Sequence, residues 1–239
     1  MQKALTAARL PMAGVGTGKA LFLALMAALW VVNLYMIFIW TPTDQVMGVV
    51  QRIFYIHVPP LWMGFVAFLM VFIASAAYLW KGDAKWDHRA YAAAEAGVVF
   101  LTIGAVGGMI WAKPVWGVWW TWDPKLTTTF ILWVTYMGYL MVRAYAPNTR
   151  QGARWAAVVG MVGFINVPIV YMAAVWWRTL HPGMVTGPLA AGGALEPMMR
   201  VTLYFSVLVF ALLFAYMVRE RIMQRESEAA IEELRSETS

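Results

Sequence analysis

Long apolar stretches constrain this 239-residue chain more than any other feature of its sequence. A membrane-spanning helix needs about 20 mostly apolar residues in a row. Because backbone polar groups must be paired inside lipid, and no alternating barrel pattern occurs, such stretches are expected to be helices. The sequence therefore predicts an all-α integral membrane protein built as a six-transmembrane-helix bundle. The expected spans are 20–40, 60–80, 90–112, 127–146, 154–177 and 200–218.

Composition supports lipid as the main solvent. Only 13% of the residues are charged and 62% are hydrophobic, whereas a soluble domain carries about 25% charged residues. The chain has no cysteine, which excludes disulfides, thiolate metal sites and covalent haem attachment through a C-x-x-C-H motif. Basic loops and contact with anionic lipid account for the net charge of +6, so no nucleic-acid partner is expected.

The distribution of basic residues predicts the orientation. Thirteen of the 18 Lys and Arg residues fall in the two terminal segments and in the loops after the second and fourth spans. Loops rich in Lys and Arg stay in the cytoplasm. Both termini are therefore expected to be cytoplasmic, while 41–59, 113–126 and 178–199 face the outside. We expect a six-span membrane domain at 1–218 and a charged cytoplasmic helix or tail at 219–239.

The outer segment between the third and fourth spans is unusually rich in tryptophan. Residues 116–127 read WGVWWTWDPKLT, and Trp111 lies just upstream. An interfacial belt needs one or two tryptophans per helix end, so a belt explains these five poorly. Flat apolar side chains suit a flat apolar ligand. Asp123 followed by Pro124 is also a typical start of a helix, and we expect capping of the fourth helix to be its main role.

Two of the three histidines lie in the other outer segments. Pro59 and Pro60 are expected to open the second span, which places His57 just before it. His181 follows the fifth span. Either histidine alone is more simply an ordinary interfacial residue, but together they flank the tryptophan loop and could bind one metal. The ligand that is flat, apolar and accepts two imidazoles is haem.

Three basic residues in the outer segments are candidate partners for the haem propionates. They are Arg52, Lys125 and Arg178. Charged hydrogen bonds to carboxylates would favour this role, whereas simple snorkelling at the membrane interface is the alternative.

The spans hold few other polar signals. Glu95 lies near the inner end of the third span, where snorkelling explains it better than a transport pathway does. Asn166 and Pro168 predict a kink in the fifth span. Three glycines of the third span predict close helix packing. They are Gly104, Gly107 and Gly108.

The tryptophan stretch resembles the WWD signature of haem-handling membrane proteins, and the chain most resembles the protein C (haem exporter protein C) family of system I cytochrome c maturation. By this resemblance His57 and His181 are the axial ligands of the haem iron. Lys125 stands where the family usually has arginine, so a bidentate contact there is lost. The signature is carried by Trp116, Gly117, Trp119, Trp120, Trp122, Asp123, Leu126 and Thr127, and its first six residues are expected to form a haem platform or a chaperone-docking face.

The resemblance implies a haem-delivery factor of the bacterial inner membrane, not an enzyme. It would hold haem b transiently and without a covalent bond, and pass it to the periplasmic haem chaperone, protein E. The expected associates are the small single-span protein D and the ABC transporter of proteins A and B. An alternative is a bis-histidine b-type cytochrome that carries electrons, although such proteins usually place their haem ligands within the spans. A transporter is a third possibility.

Overall fold

The structure is a computed structural model that describes residues 16–183 and 195–238. The described residues form helices and no strand, with one isolated β-bridge between Asp44 and Gly48. The all-α prediction is therefore confirmed. Lys3 and Arg9, which contribute to the predicted orientation, lie outside the described residues, as does the part of the third outer segment at 184–194.

Seven α-helices make up the described bundle. A π-helical turn, Met36–Trp40, extends the first helix, and a 3₁₀ turn, Val49–Ile53, leads into the second. The helices are α1 (Thr17–Tyr35), α2 (Phe54–Lys81), α3 (Ala84–Trp116), α4 (Pro124–Tyr145), α5 (Thr149–Phe164), α6 (Asn166–Trp176) and α7 (Pro197–Thr238).

Within the described residues, five helical stretches are long and apolar enough to cross a membrane, and they match five of the six predicted spans. They are Thr17–Trp40, Val49–Lys81, Ala84–Trp116, Thr149–Trp176 and Pro197–Ser236. The remaining predicted span coincides with the 22-residue helix α4. With a run of threonines near its start and with Lys125 and Arg143 near its two ends, α4 is not among these five apolar stretches.

The predicted kink in the fifth span is confirmed as a break between α5 and α6. Helix α5 ends at Phe164 and α6 begins at Asn166. Pro168 has no N–H with which to continue the backbone ladder. The side-chain amide of Asn166 donates to the carbonyl of Thr128 in α4 at 2.8 Å. This hydrogen bond, at the start of α6, joins α6 to the first part of α4.

The start of the second span differs from the prediction. Helix α2 begins at Phe54, so Pro59 and Pro60 lie inside the helix and not at its first position. The 3₁₀ turn at Val49–Ile53 already sets the helical direction upstream, so the helix does not need proline to start it. His57 is therefore a helical residue in the first turn of α2, and its side chain is held by a rigid backbone.

Close packing of α2 and α3 forms the centre of the bundle. A Cβ added at Gly97 of α3 would lie 2.6 Å from the Phe68 ring of α2. The Phe68 ring stacks on Tyr136 of α4 with ring centres 3.6 Å apart. The Tyr136 hydroxyl donates to the carbonyl of Gly160 in α5 at 3.0 Å. One aromatic stack therefore ties four helices together.

The end of the bundle that holds the start of α3 carries the ion pairs between helices. Arg143 of α4 donates to Asp87 of α3, and both side chains are buried. Arg221 of α7 donates to both carboxylate oxygens of Glu95. Glu95 thus has a partner instead of standing alone at an interface. Helix α7 runs without a break past residue 218 into the charged C-terminal segment.

Candidate functional site

A cavity of about 620 Å³ lies at the opposite end of the bundle, where α2 and α4 begin and α3 and α6 end. Both predicted ligands, His57 and His181, line this cavity, together with Lys125 and Trp111. The rest of the lining is mainly apolar. It includes Phe54, Val58, Leu61, Trp62, Phe65, Val170, Ala174 and Leu195.

His57 is buried and its orientation is fixed by one hydrogen bond. Its Nδ1 lies 2.7 Å from the carbonyl oxygen of Gly104 in α3. A carbonyl only accepts, so Nδ1 carries the proton and donates. The neutral ring then has its free lone pair on Nε2. Such a bond from the second nitrogen to a carbonyl is how metal-binding histidines are usually oriented.

Three glycines of α3 make room for two side chains of α2, His57 and Leu61. A Cβ at Gly104 would lie 2.4 Å from Leu61, and a Cβ at Gly108 would lie 2.7 Å from Cε1 of His57. At Gly107 the nearest contacts would be 3.5 Å from the backbone and Cβ of His57. The predicted close packing at these glycines is confirmed, and at Gly107 and Gly108 the partner is the histidine itself.

His181 lies in the non-helical segment after α6 and is held by local hydrogen bonds. Its backbone N–H donates to the hydroxyl of Thr179 at 3.1 Å, and its Nδ1 lies 2.9 Å from the carbonyl of Pro182. As in His57, donation to a carbonyl leaves the lone pair on Nε2. Loss of solvent lowers the pKa of the His181 imidazole below its ordinary value. The ring is therefore neutral near pH 7, as metal binding requires.

Asp123 joins the tryptophan loop to the His181 segment. One carboxylate oxygen accepts from the N–H of Leu126 at 2.9 Å, which confirms the predicted cap of α4. The other oxygen accepts from the Thr179 hydroxyl at 2.8 Å. Sequence reasoning did not single out Thr179. The signal was a hydroxyl two residues before a histidine, a spacing at which threonine often accepts a backbone N–H.

Lys125 of α4 is the cation that lines the cavity. Its Nζ donates to the carbonyl of Val170 at 2.9 Å, with the Tyr171 carbonyl at 3.5 Å. No carboxylate forms an ion pair with Lys125 in the described part of the chain. Its charge is therefore available to an anion in the cavity.

The other two basic candidates lie elsewhere. Arg52 is in the half-buried 3₁₀ turn before α2, where its Nε is buried with no hydrogen-bond partner in the part of the chain that the structure describes, and Arg178 is exposed after α6. Neither is among the described residues that line the cavity. Lys125 is thus the candidate that the fold brings to the two histidines.

The tryptophans of the signature are divided between two positions. Trp116 ends α3 and lines a smaller cavity, of about 50 Å³, that both histidines also border. Gly117 takes the left-handed conformation, with φ at 78°, and ends the helix. Trp119 and Trp122 are exposed, and Trp120 packs edge-on against Trp122. Trp116 therefore adjoins the histidines, Trp119 and Trp122 lie on an outer surface, and the half-buried Trp120 packs against Trp122.

The residues of this site fit an iron porphyrin. A volume of about 620 Å³ lies within the usual range for small-molecule sites, and the lining is mainly apolar. Both imidazoles have Nδ1 engaged and Nε2 free. Trp111 lines the cavity and carries a buried indole N–H that has no acceptor within residues 16–183 and 195–238. The two imidazole nitrogens suit the haem iron. The Lys125 cation and the unused indole N–H suit the anionic propionates at the edge of the porphyrin.

Comparison with known proteins points to one family. The family model described as "Heme exporter protein C" matches residues 4–234. A protein of that name from Bradyrhizobium diazoefficiens is 33% identical over 189 residues, covering 77% of this chain and 71% of its own. The Escherichia coli K12 protein of that name is 34% identical over 208 residues, covering 84% and 82%. A Marchantia polymorpha protein, named "Putative cytochrome c biosynthesis ccmC-like mitochondrial protein", is 33% identical over 144 residues, covering 60% of each chain.

Proposed function

Because this chain belongs to the haem exporter protein C family of membrane proteins, we propose that it binds haem b between His57 and His181 and delivers it to the periplasmic haem chaperone, protein E. The observation that carries this proposal is the shared cavity of the two histidines, in which each ring has its Nδ1 committed to a carbonyl. Two imidazoles prepared in this way offer two Nε2 lone pairs to one iron.

The membrane arrangement follows from the same proposal. Helix α4 completes the set of six spans, as the fourth in chain order, since it packs against both α3 and the α5–α6 pair. Both termini face the cytoplasm of a bacterial inner membrane, because the basic residues gather at the end of the bundle away from the histidines. The cavity then opens at the periplasmic face.

The chain's residues divide the work of holding and releasing haem. His57 and His181 bind the iron, Lys125 pairs with a propionate, and the apolar walls cover the porphyrin. Covering about 200 Å² of the porphyrin contributes about 5 kcal/mol, so release is possible once the iron–imidazole bonds break. The exposed Trp119 and Trp122 form the face on which the chaperone docks. The chain acts as a delivery factor, alongside protein D and the transporter of proteins A and B, and not as an enzyme.

Transfer of haem tests this function. The purified protein, loaded with haem, is mixed with the apo-chaperone in detergent, and the haem content of each is measured after separation. We expect haem to move to the chaperone from the wild type. A Trp119→Ala, Trp122→Ala variant should bind haem normally and transfer it slowly. Haem that stays on the wild type through repeated reduction and oxidation would contradict delivery and favour the electron-carrying cytochrome.

A further inference from the structure

His181 lies on a segment that has no helix to hold it. Helix α6 ends at Trp176, and the described chain continues without regular structure to 183. An axial ligand must keep its nitrogen aimed at the iron, and His57 achieves this from a rigid helix. His181 needs a restraint from elsewhere in the fold.

That restraint is a chain of two hydrogen bonds that begins at α4. The hydroxyl of Thr179 donates to Oδ2 of Asp123 at 2.8 Å and accepts from the backbone N–H of His181 at 3.1 Å. A hydroxyl has one proton, and an ionised carboxylate only accepts, so the direction of both bonds is fixed. Among the described residues, Thr179 thus links the capping aspartate to the histidine backbone.

Asp123 is itself held at the start of α4, because its other carboxylate oxygen also accepts a hydrogen bond. Oδ1 accepts from the N–H of Leu126 at 2.9 Å and caps α4. Helix α4 is in turn fixed to the bundle through the stack of Tyr136 on Phe68. The start of α4 therefore restrains His181 through the signature residue Asp123.

We infer that Asp123 and Thr179 are positioning residues for the His181 ligand, so that the signature aspartate controls iron coordination through the Thr179 hydroxyl. This inference rests on the proposed function, because it presupposes that His181 binds haem iron. It adds a role for Asp123 beyond helix capping, and a role for Thr179 within the site.

Replacement of Thr179 by valine tests the link with little change in shape. Thr179→Val removes the hydroxyl, whereas Thr179→Ser keeps it. Thr135→Val is the matched control, because the Thr135 hydroxyl donates to the Ile131 carbonyl within α4 and Thr135 is not among the described residues that line the cavity. Each variant is purified as the full chain, loaded with haem, and studied by optical and electron paramagnetic resonance spectroscopy.

We expect Thr179→Val to lose much of its six-coordinate low-spin haem signal and to bind haem about 10-fold more weakly, a typical cost of removing a partner behind a metal ligand. Added imidazole should restore the low-spin signal. Thr179→Ser and Thr135→Val should match the wild type, and the melting temperature of each haem-free variant should stay the same. A purely structural role would lower that melting temperature and would not respond to imidazole.

Two results would overturn the inference, and both differ from failure of the proposed function. Wild-type spectra and affinity in Thr179→Val would show that the hydroxyl does not position His181. Equal loss in Thr179→Val and Thr179→Ser would show that the hydroxyl is not the relevant group. If His181→Ala itself leaves haem coordination unchanged, the proposed function fails, and the inference that rests on it is overturned as well.

Discussion

The space left by Gly108 offers the sharpest test of how His57 is held. An added Cβ at residue 108 would lie 2.7 Å from Cε1 and 3.1 Å from Nδ1 of the His57 ring. To reach ordinary contact at 3.4 Å, the ring must withdraw by about 0.7 Å. It cannot do so and keep the 2.7 Å bond from Nδ1 to the Gly104 carbonyl.

The cost of Gly108→Ala should fall on the haem-bound state. Without haem the ring can relieve the clash by giving up its bond to the Gly104 carbonyl and turning away, whereas bound iron fixes Nε2 and leaves the clash in place. Overpacking of this kind costs about 1–3 kcal/mol, which corresponds to a loss of about 5- to 150-fold in haem affinity. Titration of the haem-free protein with haem, followed by the Soret band, measures this loss.

Gly107→Ala is the matched control for this substitution. It adds the same methyl group to the same helix one residue away, where the nearest His57 atoms lie at 3.5 Å. Any shared effect on helix propensity cancels between the two variants. We expect Gly107→Ala to bind haem within about 2-fold of the wild type, a difference of about 0.4 kcal/mol. Equal haem affinity of Gly108→Ala and Gly107→Ala would refute the proposal that Gly108 leaves the space that the His57 ring needs.

Two further predictions concern charged residues at opposite ends of the bundle. Lys125→Met should weaken binding of haem but not of haem with esterified propionates, because only the ionised propionate pairs with Nζ. Titration of the variant with each ligand measures the two affinities. An equal loss for both ligands would instead show that Lys125 acts by holding the Val170 carbonyl. Asp87→Ala should destabilise the protein by about 3–5 kcal/mol, since it leaves Arg143 buried without its partner. Glu228→Ala, which removes a more exposed carboxylate that pairs with Arg221 and Arg225, should cost at most about 1 kcal/mol. Thermal unfolding of the haem-free variants measures both costs, and similar values would contradict the difference in burial.

Features that depend on local chemistry were predictable from the sequence. The apolar spans follow from length and composition, and the cap at Asp123 follows from an aspartate before a proline. The break near Asn166 follows from the missing N–H of Pro168. Each of these features is decided within a few residues of chain, so no knowledge of the packing is needed.

Features that depend on contacts between distant segments were not predictable in detail. The acceptor for His57 is the carbonyl of Gly104, 47 residues away, and nothing in the local sequence marks it. The link from Asp123 to Thr179 spans 56 residues. The separation of Trp116 from the exposed Trp122 depends on where α3 ends. The closely spaced tryptophans of 116–122 do not themselves indicate which rings lie near the cavity.

The paired ligand assignment is the central claim, and the spectrum of the haem-loaded protein tests it most directly. The wild type should show six-coordinate low-spin ferric haem by electron paramagnetic resonance. His57→Ala and His181→Ala should each convert the haem to a five-coordinate high-spin form, or lose it, with imidazole restoring the low-spin signal in variants that retain haem. Unchanged low-spin spectra and haem content in both variants would contradict the claim that these two imidazoles bind the iron.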